Sequence, residues 1–238
     1  MKTAQIDYTH GKTALKGFLA YDGKQRGRRP AVLVAHAWGG RDAFACAKAE
    51  SLAALGYAGF AVDMYGDARL GKDKDENASL MTPFLRDRVL LQGRIGSALE
   101  AARRLDQVDP ERVAAIGFCF GGLCVLDLAR SGADARGVVS FHGLLGAPEG
   151  LPNAAIKAKI MALHGWDDPM ATPKNLRSFA EEMTGAKADW QAHAYGNTMH
   201  AFTNPEANDP GFGTVYDEKA DRRSWAAMTN FLEEIFAE

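Results

Sequence analysis

The chain of 238 residues has few cysteines, little net charge and no long hydrophobic run. Its three cysteines are too few for the disulfide framework typical of small secreted proteins. No run of about eighteen apolar residues is present, and the N-terminus lacks the apolar core of a signal peptide. A formal net charge of −2 gives no electrostatic reason to expect nucleic acid or an anionic membrane as a partner. These absences favour a cytoplasmic globular protein with reduced thiols.

Apolar runs of strand length alternate with helical stretches along most of the chain. Strands are predicted at residues 31–37, 57–66, 112–118, 136–143, 159–165 and 189–196. Helices are predicted at residues 42–56, 84–105, 121–131 and 217–238, and the N-terminal stretches AQIDYT and ALKGFLAYD predict an antiparallel hairpin. This alternation indicates an α/β fold with a doubly wound, mostly parallel sheet and helices on both faces. We expect one domain over residues 1–238, with residues 66–83 as an exposed loop or a small lid.

Cys119 lies between two glycines in the stretch Gly117-Phe118-Cys119-Phe120-Gly121, where a predicted strand gives way to a predicted helix. A nucleophile in this pattern occupies a sharp strand-to-helix turn above the carboxyl ends of the strands, where ligands bind. The turn also places the backbone N–H of Phe120 at a helix N-terminus, where it can stabilise an oxyanion and where the helix dipole favours a thiolate. The alternative is a buried structural cysteine in a glycine-rich turn.

A thiol nucleophile on such a scaffold needs an acid and a histidine, in that order along the chain. His200 follows the last predicted strand, and Asp168 follows the strand before it, with Asp167 as the reserve candidate. Each residue taken alone could be a solvated loop residue. Three residue types in the required order, each at a strand end, predict the triad Cys119, Asp168 and His200.

The loop VAHAWGGRDAF follows the first predicted parallel strand, which is where a second oxyanion donor normally lies. The backbone N–H of Trp38 is the predicted donor. His36 is expected to shape this loop as a structural histidine and not to act as the catalytic base.

Five stretches together resemble the dienelactone hydrolase family of α/β-hydrolases: VLVAHAWGG, GYAGFAVDMYG, IGFCFGG, LHGWDDP and HAFTNPEA…YDEKADRRSW. The resemblance extends over nearly the whole chain, and a cysteine at the nucleophile position is its most specific element. It implies an eight-stranded α/β-hydrolase sheet, a Cys119–His200–Asp168 triad, no metal and no organic cofactor. It also implies hydrolysis of lactones and small esters.

The sequence departs from the family pattern at two positions. Well-studied members carry a glutamate one residue after the position of His36, where it contacts the resting thiol, and this sequence has Ala37. The same members carry an arginine four residues after the catalytic histidine, which binds the substrate carboxylate, and this sequence has Asn204. We therefore expect a substrate whose acid part need not be anionic.

The residues predicted to line the substrate site combine these positions with nearby cations. They are His36, Ala37, Arg41, Arg86 and Asn204. Arg69 is a further candidate cation, although an exposed arginine in contact with solvent is the ordinary expectation for all three arginines.

The sequence thus predicts a cysteine hydrolase of small carboxylic esters or lactones that works through an acyl-thioester intermediate. Two alternatives belong to other functional classes. One is a non-catalytic protein that binds a small molecule, and the other is a thiol redox sensor that pairs Cys119 with Cys124. The natural substrate and the choice between monomer and homodimer stay open.

Overall fold

The computed structural model of the chain describes residues 1–237. The strands are β1 (Lys2–His10), β2 (Thr13–Tyr21), β3 (Arg29–Ala35), β4 (Ala58–Ala61), β5 (Val108–Phe118), β6 (Gly137–Phe141), β7 (Lys159–Gly165), β8 (Trp190–Tyr195), β9 (Asn208–Asp209) and β10 (Thr214–Val215). The helices are α1 (Ala43–Ala54), α2 (Lys74–Arg86), α3 (Arg88–Arg103), α4 (Phe120–Arg130), α5 (Pro173–Gly185) and α6 (Glu218–Ala237). Glu238, the last residue of the predicted C-terminal helix, lies outside the described residues.

Strands β1 to β8 belong to one eight-stranded sheet, which confirms the predicted α/β class with a mostly parallel sheet. The chain forms two compact units, residues 1–116 and the residues from 117 onward. The expectation of one domain over residues 1–238 stays a prediction. Within residues 1–237, no helix has the length and apolar character needed to cross a bilayer.

In the first unit the strand order is β1-β2-β4-β3. Strands β1 and β2 pair antiparallel from Lys2↔Tyr21 to His10↔Thr13, which confirms the predicted N-terminal hairpin. Strand β3 runs parallel to β4. Helix α1 packs so closely on β4 that a Cβ on Gly59 would overlap the backbone of Ala49. Helix α1 begins as predicted, with the Asp42 side chain accepting a hydrogen bond from the Ala45 N–H at 3.0 Å.

The predicted helix over residues 84–105 is wrong at its start, because the chain breaks at Asp87 between α2 and α3. Asp87 is extended at φ −123° and ψ 91°, and its carboxylate caps α3 by accepting from the Leu90 N–H at 2.8 Å. Residues 66–83, expected to form an exposed loop or a small lid, are partly helical, and a role as a lid stays a prediction. Helix α2 begins at Lys74, after the Asp73 side chain accepts from the Glu76 N–H at 2.8 Å.

In the second unit strands β6, β7 and β8 run parallel to one another in that order. Every residue of α4 is buried, whereas α6 buries one apolar face, as predicted for an amphipathic C-terminal helix. Helix α5 was not predicted. It begins at Pro173, and the Thr172 N–H just before it donates to Asn175 Oδ1 at 2.9 Å.

Arg130, at the end of α4, is only 1% exposed and forms the centre of a buried polar network. Its guanidinium donates to both carboxylate oxygens of Glu182, at 2.9 and 2.7 Å, and to Asp127 Oδ1 at 3.2 Å. It also donates to the Leu145 carbonyl at 2.8 Å. A buried charge must be compensated in this way. The network therefore ties α4 to α5 and to the segment after β6.

Candidate active site

Cys119 is the single residue between strand β5 and helix α4. Its backbone has φ 55° and ψ −114°, in a region that residues with a side chain rarely adopt. The Cys119 N–H donates to the Phe141 carbonyl at the end of β6 at 3.1 Å, and its carbonyl accepts from the Gly122 N–H at 3.0 Å. Backbone strain of this kind persists where the surrounding structure imposes it, and it concentrates at functional sites. The sharp strand-to-helix turn that the sequence predicted at Cys119 is therefore present, and the role of Cys119 as a nucleophile stays a prediction.

Glycines on both sides of Cys119 are required by close contacts. A Cβ on Gly117 would overlap the carbonyl oxygen of Gly121, and a Cβ on Gly122 would press against Ser140 and the backbone of Gly143. The turn therefore admits no side chain at these positions. Phe120 begins α4, so its N–H belongs to the first turn, whose donors have no acceptor within the helix. Its role as an oxyanion donor stays a prediction.

Asp168 and His200 form a buried pair, with His200 Nδ1 2.7 Å from Asp168 Oδ2. The other carboxylate oxygen, Oδ1, accepts from the Met170 N–H at 2.8 Å and from the Ala171 N–H at 3.1 Å. Asp168 is 1% exposed, whereas Asp167 is exposed. The structure thus brings His200 together with Asp168, the preferred of the two predicted acids.

His200 lies in the loop after β8, as predicted, and its backbone is held by residues further along the chain. Its N–H donates to the Gly213 carbonyl, and its carbonyl accepts from the Val215 N–H, both at 3.0 Å. These contacts join the loop to the short pair of strands β9 and β10, which the sequence analysis missed. These two hydrogen bonds fix the backbone of His200 and so restrict the direction in which its side chain can point.

The pKa of His200 depends on its burial and on its two titratable neighbours, Cys119 and Asp168. Burial lowers this pKa, but the electrostatic interaction with Cys119 and the hydrogen bond to Asp168 outweigh burial and raise it to about 10. A pKa in this range favours the protonated ring at neutral pH. The structure therefore brings all three predicted triad residues together within the second unit.

Two other histidines of the second unit, His164 and His193, lie in strands and not in the loop that carries His200. His164, at the end of β7, is 1% exposed, and its Nε2 lies 2.5 Å from the Ala171 carbonyl oxygen. Burial lowers the pKa of His164, which favours a neutral ring. His193 lies within β8, as predicted. A further histidine, His142, contacts His200 directly, and sequence reasoning assigned it no role.

His36, in the first unit, is fully buried, and both of its ring nitrogens bond to backbone. Nδ1 lies 2.6 Å from the Ala37 carbonyl oxygen, and Nε2 accepts from the Met64 N–H at 3.2 Å. Burial lowers the pKa of His36. This geometry agrees with the predicted structural role and leaves no ring nitrogen for a substrate.

The loop after β3 also carries Trp38 and Arg41. The Trp38 carbonyl accepts a hydrogen bond from the Tyr65 hydroxyl at 2.9 Å, and Trp38 and Ala37 are partly exposed. Arg41 is partly buried and donates to the sulfur of Cys46 at 3.3 Å. The assignment of the Trp38 N–H as an oxyanion donor stays a prediction, as do substrate-binding roles for Ala37 and Arg41.

The remaining predicted substrate residues differ in how they are held. Arg86, in the last turn of α2, and Arg69 are exposed. Asn204 is partly buried, and its Oδ1 accepts from the Glu206 N–H at 3.1 Å within a turn. Within residues 1–237, no group of three or more His, Cys, Asp or Glu side chains has the arrangement of a metal site.

Residues 15–236 match the profile of the dienelactone hydrolase family. The chain belongs to the dienelactone hydrolase family. The match covers almost the whole chain, so the resemblance found in the sequence is confirmed, and the chain is a hydrolase of the α/β-hydrolase fold.

Relatives and solved structures agree with this membership of the dienelactone hydrolase family. The crystal structure of the dienelactone hydrolase-like promiscuous phosphotriesterase P91 from metagenomic libraries is 38% identical, with a TM-score of 0.93, and covers 99% of this chain and 98% of that chain. A probable 2-oxo-3-(5-oxofuran-2-ylidene)propanoate lactonase of Bradyrhizobium is 27% identical over 213 residues, 84% of this chain and 85% of the relative. An uncharacterized protein of Caenorhabditis elegans, K02A2.1, is 39% identical over 150 residues, 62% of this chain and 95% of the relative.

Proposed function

We propose that the chain hydrolyses small carboxylic esters or lactones with Cys119 as the nucleophile. His200 is the base and acid of this mechanism, and Asp168 orients it. One observation carries the proposal: the buried imidazole of His200 is bonded at Nδ1 to the Asp168 carboxylate, in the same unit as the strained turn that presents Cys119. The pKa of His200 agrees with this arrangement, because the interactions with Cys119 and Asp168 raise it to about 10 against the effect of burial. A thiolate paired with an imidazolium is the reactive form of a cysteine hydrolase.

In the first half of the reaction, the Cys119 thiolate attacks the carbonyl carbon of the ester or lactone. A carbon–sulfur bond forms, and the carbonyl electrons move to an oxyanion, which the Phe120 N–H at the α4 N-terminus stabilises. The tetrahedral intermediate then expels the alcohol, which takes a proton from His200. The product of this half is an acyl thioester on Cys119 and a neutral His200.

In the second half, neutral His200 accepts a proton from water, which attacks the thioester carbon. Collapse of the second tetrahedral intermediate breaks the carbon–sulfur bond, releases the carboxylic acid product and restores the thiolate beside the imidazolium. The Nδ1–H of His200 donates to Asp168 throughout the reaction, so that each proton transfer takes place at Nε2. The sequence predicts a second oxyanion donor at Trp38, which needs its own test.

The substrate range follows from the two departures from the family pattern. Ala37 cannot act as the carboxylate that contacts the resting thiol in well-studied members, so the thiolate–imidazolium pair stands without a competing acid at that position. Asn204 cannot bind a substrate carboxylate as the family arginine does. The absence of this arginine favours uncharged acyl groups, and the lactonase relative supports lactones as substrates. A cytoplasmic location stays a prediction.

Phosphotriester hydrolysis is a second candidate activity, favoured by the 38% identity to a promiscuous phosphotriesterase. A thiolate that attacks a phosphotriester generates negative charge on the phosphoryl oxygen, as attack on an ester does on the carbonyl oxygen, and the same donors can stabilise it. Release of p-nitrophenol from a dialkyl p-nitrophenyl phosphate measures this activity. The proposal predicts that the release requires Cys119.

The redox-sensor alternative finds little support. Cys124 is 0% exposed and lies five residues after Cys119, within helix α4. Cys119 lies before α4 and Cys124 lies within it, where solvent does not reach the Cys124 side chain. Redox-sensor cysteines are usually accessible to solvent, so this pair fits the sensor alternative poorly.

The proposal is tested by p-nitrophenol release from a short-chain p-nitrophenyl ester over a range of pH. We expect Cys119→Ala and His200→Ala each to lower kcat by at least about a thousandfold while circular dichroism shows an unchanged fold. Cys46→Ala is the matched control and should keep wild-type turnover. Wild-type turnover at the buffer rate, or active Cys119→Ala protein, would overturn the proposal and place the small-molecule binding protein first.

A further inference from the structure

His142, the first residue after β6, is held in a strained and fully specified position. Its φ of 39° lies in the left-handed region, which a histidine adopts only when the surroundings impose it. The His142 N–H donates to the Leu163 carbonyl of β7 at 2.8 Å, and the residue is 2% exposed. The backbone therefore directs the imidazole into the interior of the second unit.

The His142 ring packs against the ring of His200. Their centroids lie 5.1 Å apart with an interplanar angle of 66°, an edge-to-face contact. Phe202 contacts His142 in the same manner, at 5.0 Å and 79°, and Phe118 lies 6.1 Å away. Edge-to-face contacts between aromatic rings are directional. The contact therefore limits how the plane of the His200 ring can turn.

A hydrogen bond to Thr203 fixes the other end of His142. Its Nε2 lies 2.8 Å from Thr203 Oγ1, and Thr203 is 1% exposed. Thr203 follows His200 by three residues in the same loop, which turns at Ala201 with φ 57°. The contact thus links the residue after β6 to the loop that carries the catalytic base.

We propose that His142 and Thr203 are positioning residues that hold the plane of the His200 imidazole, so that Nε2 faces the Cys119 sulfur. The bond to Asp168 alone leaves the orientation of the His200 ring undetermined. One hydrogen bond at Nδ1 fixes the distance to Asp168 but permits rotation of the ring about that bond. The ring of His142, tied by Thr203 to the same loop, removes this freedom. The inference rests on the proposed function, in which Nε2 exchanges protons with Cys119.

Three variants test the inference: Thr203→Val, Thr203→Ser and His142→Asn. Valine keeps the shape of threonine but loses the hydroxyl, and serine keeps the hydroxyl. Asparagine tolerates a positive φ but has no aromatic ring. Thr229→Val and His193→Asn are matched controls, because Thr229 lies on α6 with its hydroxyl 3.0 Å from the Trp225 carbonyl oxygen and His193 lies in β8.

Two measurements are made on each variant. The first is kcat and KM for a short-chain p-nitrophenyl ester, and the second is the pH midpoint of Cys119 alkylation by iodoacetamide, followed by peptide mass spectrometry that separates Cys119 from Cys46 and Cys124. We expect Thr203→Val and His142→Asn to lower kcat on the order of tenfold, with KM changed by less than about twofold. We expect them to raise the alkylation midpoint by about one pH unit, because a misplaced imidazolium stabilises the thiolate less.

Thr203→Ser and both controls should match the wild type within about twofold in kcat and in midpoint. A Thr203→Val protein that is folded and keeps both the wild-type kcat and the wild-type midpoint overturns the inference. So does a Thr203→Ser protein as impaired as Thr203→Val, because the hydroxyl is then irrelevant. If the wild type hydrolyses no ester, the proposed function fails, but the alkylation midpoint still decides whether these residues position His200.

Discussion

Two buried aspartates, one in each unit of the chain, follow a buried strand and use their carboxylates differently. Asp63 follows β4 and is 1% exposed, and its oxygens accept from four backbone N–H groups, those of Lys16, Tyr65, Gly66 and Ala68. Asp168 follows β7 and is equally buried. It gives one oxygen to the backbone N–H groups of Met170 and Ala171 and the other to His200.

The histidines His36 and His200 differ in the same way. Both are buried in loops that follow a strand, but His36 bonds only to backbone groups, at Ala37 and Met64. Burial lowers the pKa of His36, so its ring is neutral. His200 bonds at Nδ1 to the Asp168 carboxylate, and its interactions with Cys119 and Asp168 raise its pKa to about 10 against the effect of burial.

The comparison shows that residue type and burial do not distinguish a structural site from a chemical one. An aspartate and a histidine whose atoms all bond to backbone stabilise the loop around them. In the proposed mechanism, the same two residue types take part in catalysis when one atom of each is directed at another titratable side chain. Substitution of the two aspartates, and titration of the two histidines, tests this distinction.

The largest effect is expected from neutralising each aspartate in turn. Asp168→Asn should lower kcat for ester hydrolysis by about a thousandfold with little loss of stability, because the amide no longer orients and stabilises a protonated His200. Asp63→Asn should lower the free energy of unfolding by about 2–4 kcal/mol, because buried N–H donors then face an amide that accepts at only one atom. Its kcat per folded molecule should stay near that of the wild type. Urea unfolding and ester kinetics measure the two quantities.

Either of two results would contradict the difference proposed between Asp168 and Asp63. An Asp168→Asn protein with wild-type kcat shows that the buried carboxylate is structural. An Asp63→Asn protein of unchanged stability shows that the four backbone bonds contribute nothing.

A smaller effect is expected when the thiolate is removed. Without the thiolate charge, burial weighs more heavily on His200, so Cys119→Ala should lower the pKa of His200 from about 10. NMR titration of imidazole resonances checks this in the wild type and in Cys119→Ala. The resonance of His36 serves as the internal control and should titrate below 6.5 in both proteins. A His200 pKa that does not move on removal of the thiol would show that Cys119 carries no charge in the resting protein.

The smallest effect concerns stability in acid. Burial lowers the pKa of His36 in the folded chain. As the pH falls through about 6.5, His36 therefore becomes protonated in the unfolded chain while it is still neutral in the folded chain. The contribution of neutral His36 to stability is therefore complete above pH 6.5 and is lost as the pH falls below it. His36→Gln should reduce this dependence between pH 6.5 and pH 5 by up to about 1.4 kcal/mol per pH unit. Urea unfolding at several pH values measures the slope, and an unchanged slope would mean that His36 has the same pKa in the folded and unfolded chain.

Much of the fold and the triad could be predicted from the sequence because the signals there are local. Strand-length apolar runs give β3 and β7 to within a few residues, and the glycines around Cys119 indicate a turn that admits no side chain. Chain order then identifies His200 and leaves two aspartates. The sequence favours Asp168 with Asp167 in reserve, and the fold adds that the Asp168 carboxylate is the one buried beside the imidazole.

The missed features depend on signals that are weak or far apart in the chain. Helix α5 buries only Phe179 and Met183, so its apolar period is faint, and its strongest signal is the Thr172-Pro173 start. The break at Asp87 interrupts a stretch whose composition favours one long helix. The contact of His142 with His200 joins residues 58 positions apart, so no local sequence pattern predicts it.

The central claim is that Cys119 carries the acyl group during turnover. It is tested most directly by acid-quenching the enzyme during steady-state hydrolysis of p-nitrophenyl acetate and locating the acetyl group by peptide mass spectrometry. The account predicts an acetyl group on the peptide that contains Cys119, its disappearance once substrate is exhausted, and none on the same peptide from Cys119→Ala. Full turnover by the wild type with no acetylated Cys119, or with the acetyl group on another residue, would contradict it.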